Sequence, residues 1–105
     1  MNQTEFADYI QTVFNRATEL IRNKNTSYSD DANAFGNLEL CENAGVCTVE
    51  RGIMVRMFDK MGRVSNLLGE TSSHLEVEES ITDSLMDLIG YAAILIVYRK
   101  SRELD

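Results

Sequence analysis

Apolar residues recur at steps of three and four along most of this chain, the spacing of helices with one buried face. Phe6, Ile10, Val13, Phe14, Ala17, Leu20 and Ile21 predict a first helix over about 4 to 23. Thr4 is placed to cap it, with Glu5 and Asp8 near the positive end of the helix dipole. The pattern then lapses over 24 to 34. Phe35, Leu38, Cys41 and Ala44 predict a short helix closed by Gly45. The whole 24 to 47 stretch reads as a long functional loop that contains this short helix, because long connections in small domains often serve function.

A further helix is predicted over about 49 to 68, with Thr48 as its cap and Gly69 as its stop. Its apolar stripe is Ile53, Met57, Met61, Val64 and Leu68. A second, polar stripe (Arg56, Asp59, Arg63 and Asn66) falls within an arc of about 80°, centred roughly 140° from the first. Val55 and Leu67 border that polar stripe and predict partial enclosure. Residues 70 to 80 carry four glutamates and no Lys or Arg, and read as an acidic linker.

The last predicted helix starts near Glu79 or Ser80 and runs to about 102, with Ser80 and Asp83 in a capping-box arrangement. Glu79, Asp83 and Asp87 lie four apart on one side, and the same stripe continues through Gly90, Ile94 and Tyr98. Asp87 sits mid-helix among Leu85, Met86, Leu88 and Ile89. A carboxylate held there needs compensation, from the Arg56, Lys60 and Arg63 side of the preceding helix, from a divalent cation, or from both. A plain salt-bridge network between two helices is the simplest account of the same residues.

With no proline, no repeat and no strand-like alternation, these elements predict an all-α fold. The expected form is a small helical bundle of three long helices plus a short one, in a single domain over 1 to 105. Three helices leave apolar surface uncovered, so a homodimer or higher homo-oligomer is expected.

Charge narrows the partners. The formal net charge of −7 excludes coating of duplex nucleic acid, which needs a basic face. No secretory signal is apparent, and the most apolar run, 85 to 98, is short for a bilayer and contains Asp87. No membrane partner and a cytoplasmic location are therefore expected. Cys41 and Cys47 read as free thiols, and the one histidine, His74, makes histidine-based catalysis unattractive.

Carboxylates on one helix facing arginines on its neighbour suit phosphate chemistry. Mg²⁺ takes oxygen ligands from carboxylates and phosphates, and arginine forks fit phosphate oxygens. There is no P-loop and no Gly-rich dinucleotide fingerprint.

At these residues the chain resembles a family. "YSDDANAFGNL", "GIMVRMFDKMGRVSNLLG" and "EESITDSLMDLIGYAAIL" are similar to the nucleotide modification associated domain 1 proteins found often in bacteriophages, over about 23 to 98. The resemblance implies a loop signature of Tyr28, Asp30 and Asp31, followed by Phe35 and Asn37. It also implies Arg56, Asp59, Lys60, Arg63 and Asn66 on one helix, and Glu79, Asp83, Asp87 and Tyr91 on the last. The final block also looks like the metal-binding helix of the all-α NTP pyrophosphohydrolases, although Asp59 and Glu50 stand where a Glu-rich block is expected; Glu39 and Glu42 are further acids near it.

The resulting site has Tyr28, Asn37, Arg56, Lys60, Arg63, Asn66 and Tyr91 binding a nucleotide. Asp59, Glu79, Asp83 and Asp87 hold Mg²⁺. Three functions follow from it. The first is a Mg²⁺-dependent nucleotide pyrophosphohydrolase. The second is a non-catalytic sponge for a cyclic or modified signalling nucleotide that counters host defence in the host cytoplasm. The third is a helical scaffold without a small ligand.

Overall fold

A computed structural model describes residues 1–28, 33–69 and 75–104. The protein is all-α, with no strand among the described residues. Helices α1 (Gln3–Tyr28), α2 (Gly36–Asn43), α3 (Val49–Leu68) and α4 (Leu75–Leu104) follow one another along the chain.

The start of α1 is set by Asn2 rather than by Thr4. The Asn2 side-chain oxygen accepts from the Glu5 backbone N–H at 2.9 Å, and its amide donates to the Glu5 carboxylate at 2.9 Å. This reciprocal pair satisfies orphan groups of the first turn two residues earlier than expected. The helix also runs five residues past its expected end. Lys24 and Asn25 continue the stripe of Ala17, Leu20 and Ile21, and Lys24 reaches α4. Tertiary contact thus holds a polar segment helical that local propensity would release.

Both ends of α3 are as expected. The Thr48 hydroxyl accepts from the Arg51 N–H at 3.2 Å, and Gly69 follows the last turn. Gly45 adopts φ 77° just beyond α2, the left-handed conformation that glycine tolerates without a side-chain penalty.

The expected start of α4 is a correction. The helix begins at Leu75, so Ser80 lies inside it and no capping box forms with Asp83. Half of the expected acidic linker is therefore helix. At 30 residues, α4 is also long and apolar enough to cross a membrane by length and composition. In the fold it is flanked by α3, which runs antiparallel to it, and by α1, which runs parallel. The pairings Glu50–Arg99 and Lys60–Asp87 fix the first direction, and Arg16–Asp83 with Ile21 against Gly90 fixes the second.

The core lies where α2, α3 and α4 meet. Val49, Ile53 and Tyr98 are buried, with Phe35, Leu38, Met57, Ile94 and Leu95 packed around them. The Phe35 and Tyr98 rings meet edge to face, 5.4 Å apart, which anchors the entry to α2. The buried face of α3 is turned by about 45° from the expected stripe, at 100° per residue. Lys60 and Leu67 are half-buried, whereas Met61 is 53% and Leu68 67% exposed. This turn carries the polar stripe toward the space between α1 and α3.

Candidate functional site

Asp87 organises this space. One of its carboxylate oxygens accepts from Lys24 of α1 at 2.8 Å, and the other accepts from Lys60 of α3 at 2.9 Å. Its side chain is only 17% exposed. Burial alone would raise its pKa, but hydrogen bonds from Lys24 and Lys60, with their charges, outweigh burial and hold it below the usual carboxylate value. The aspartate thereby ties together the three helices that form the walls of a cleft.

That cleft, enclosing about 70 Å³ below its open mouth, has a floor and one wall of Leu20, Ile21, Met86, Gly90 and Ile94. Lys24, Asn25, Asn37, Arg56, Asp87 and Tyr91 supply its polar and aromatic groups. Its enclosed space is well below the range of about 300–1,000 Å³ usual for small-molecule sites, so a ligand held here sits partly in the cleft and partly in the open groove beyond it. Gly90 allows the two helices to approach closely. A Cβ built there would lie 3.3 Å from the Ile21 side chain.

Arg56 and Tyr91 stand where the cleft opens into a shallower groove along α3. The Arg56 guanidinium lies over the Tyr91 ring at 6.0 Å from its centre. Beyond them the groove continues past Asp59, Lys60, Arg63 and Asn66. A third hollow joins both, between Arg16, Lys24, Lys60, Arg63, Ser80 and Asp83. Across these connected surfaces, five cations (Arg16, Lys24, Arg56, Lys60, Arg63) face three carboxylates (Asp59, Asp83, Asp87). The region thus carries an excess of two positive charges in a chain of net charge −7, and it holds five of the chain's ten Lys and Arg residues.

Asn37, Arg56, Lys60, Arg63, Asn66, Tyr91, Asp59, Asp83 and Asp87 all border this one continuous surface. Tyr28 ends α1, but its side chain lies outside the described residues, as do Asp30, Asp31 and His74. Sequence reasoning missed Arg16, Lys24 and Asn25. The signal for Lys24 was its place on the apolar stripe, four residues after Leu20 and three after Ile21.

The four acids do not gather at one point. Among the described residues, no three His, Cys, Asp or Glu side chains gather closely enough to hold a metal ion. Both Asp87 oxygens are engaged by ammonium groups, which repel a cation. Asp83 is exposed and approaches Arg16 at 3.9 Å, Glu79 is exposed, and Asp59 lies in the outer groove. Other acids have structural partners. Glu39 accepts from Asn33 at 2.7 Å, Glu42 accepts from the Val49 N–H at 3.3 Å, and Glu50 pairs with Arg99 at 3.7 Å.

No family model, curated protein or solved structure matches this chain.

Proposed function

We propose that the protein binds a nucleotide and holds it without hydrolysing it. The observation that carries this reading is the junction at Arg56 and Tyr91, where an apolar cleft meets a groove of local positive charge. A nucleotide has the matching halves: a flat base that gains from leaving water, and phosphates that seek guanidinium and ammonium groups. In this reading the base enters between Ile21, Met86 and Tyr91. The phosphates lie along Arg56, Lys60 and Arg63, and Asn37 offers a polar contact to base or ribose. Asp87 keeps Lys24 and Lys60 in place.

Binding without turnover is favoured over the pyrophosphohydrolase reading because Asp87, the acid least exposed to solvent among the described residues of this site, is already neutralised by two lysines. A cyclic or otherwise modified signalling nucleotide fits this role as well as a linear one. The resemblance to phage nucleotide-associated proteins supports a nucleotide as the ligand and does not choose between holding and hydrolysing it. The two free cysteines suit a reducing compartment, and we place the protein in the cytoplasm.

The test is a thermal-shift screen of nucleoside phosphates and cyclic dinucleotides, with and without Mg²⁺, followed by mass spectrometry of ligand released by heat. The expected result is stabilisation that does not require Mg²⁺, with the ligand recovered intact. A ligand at a hundredfold over its Kd stabilises by about 2.7 kcal/mol. Recovery of a cleaved product formed only with Mg²⁺ restores the enzyme reading. No shift with any nucleotide removes both.

A further inference from the structure

The side of α3 and α4 facing away from the cleft carries a pattern that nucleotide binding does not use. On α3, Met54, Phe58, Met61, Ser65 and Leu68 are spaced by four, three, four and three. On α4, Leu85, Ile89, Ala92 and Ile96 are spaced by four, three and four. Each set is the 4-3 seam of a heptad, the spacing that packs one helix against another knobs-into-holes. Most of both seams is uncovered within the chain: Phe58 is 63% and Ile96 69% exposed, while Ile89 and Ala92 are half-buried.

The two seams share one face. Helix geometry places them on the same side of the antiparallel α3/α4 pair, and the Glu50–Arg99 ion pair crosses between the helices at one end of that side. Between Ser80 and Tyr98 the only charged residues of α4 are Asp83 and Asp87, and both face the α1 side. The result is an uncharged apolar strip about 20 Å long at 1.5 Å per residue.

We infer that this face is the interface of a homodimer in which the α3/α4 pairs of two copies form an antiparallel four-helix bundle. A second copy fits because the face is self-complementary, two antiparallel helices with matched heptad seams, which is the repeating unit of such bundles. At roughly 200 Å² for a large side chain, the exposed fractions of Met54, Phe58, Met61, Leu68, Leu85 and Ile96 amount to several hundred Å² per copy. That approaches the roughly 800 Å² each partner contributes to a stable interface and exceeds the scattered apolar residues of a monomer. A bilayer is the poorer occupant, since insertion of α4 would carry Asp83 and Asp87 into hydrocarbon and separate Asp87 from Lys24 and Lys60. The cleft and its cations lie on the opposite side and stay open in this dimer.

The test is sedimentation equilibrium of the full chain, beside a Phe58→Glu/Ile96→Glu variant and a Phe6→Glu/Phe14→Glu control. The expected result is a dimer for the wild type and the α1 control. The α3/α4 variant should dissociate at least about a hundredfold more readily, with helical circular dichroism retained. Should that variant fail to fold, the wild-type melting temperature still reads the association, rising with protein concentration for a dimer. A monomeric wild type with a concentration-independent melting temperature overturns the inference. So does a dimer that survives the α3/α4 variant but is lost in the α1 control, or wild-type protein that floats with liposomes instead of dimerising.

Discussion

Lys60 of α3 and Asp87 of α4 meet at 2.9 Å on the face that α3 turns toward the interior. A lysine there would be costly without a partner, and the aspartate would be costly without the lysine. Each therefore fixes the rotation of its helix about the other, and Lys24 adds α1 to the same joint.

Replacing the aspartate exposes this dependence. Asp87→Asn leaves two ammonium groups facing each other across a partly buried gap. We expect a loss of about 1–3 kcal/mol in urea unfolding, the scale of a charged hydrogen bond in a partly solvated site. Because Asp87 keeps Lys24 and Lys60 in place, nucleotide affinity per folded molecule should weaken, and by the same factor with and without Mg²⁺. An acid that served as a metal ligand would instead show a loss confined to conditions that contain Mg²⁺.

Stability should also depend on pH through this residue. The folded-state pKa of Asp87 is lowered, so its contribution is fully present above the unfolded value of about 3.9. It is lost as pH falls through the lower, folded value. Urea midpoints of the wild type and Asp87→Asn should therefore differ most near neutral pH and converge below about pH 4. A difference that stays constant into strong acid would mean that the carboxylate charge does not matter.

Much of this arrangement is legible in the sequence, and the parts that are not have physical causes. The limits of α3 follow from Thr48 and Gly69 because capping chemistry is local. The start of α1 was misplaced because Asn2 and Thr4 both have capping side chains, and only the reciprocal contact with Glu5 selects Asn2. The rotation of α3 was missed because a lysine counts as polar in any periodicity, although its long apolar stem packs well at a helix interface. Asp87 stood out as an acid in need of a cation, but one of its two partners lies 63 residues away on α1, in a stretch that reads as loop.

Gly90 tests the close approach of α1 and α4. Gly90→Ala brings a Cβ to 3.3 Å from Ile21 while gaining roughly 0.5–1 kcal/mol of helix propensity, so its net effect should stay within about 1 kcal/mol. Gly90→Leu cannot fit without moving α1. It should cost about 1–3 kcal/mol and weaken nucleotide binding far more than Gly90→Ala does. Equal binding by both variants would show that the α1 wall is not part of the site.

The most direct measurement of the central claim is calorimetric titration of a nucleotide found in the thermal screen into the wild type, Arg56→Ala and Tyr91→Ala. The wild type should bind, with Mg²⁺ making little difference. Arg56→Ala should weaken binding at least about tenfold as salt-sensitive phosphate contacts are lost, and Tyr91→Ala should weaken it by a less salt-sensitive route. Undiminished binding in both variants, with stability unchanged, would place the nucleotide somewhere other than the junction of cleft and groove and contradict this account.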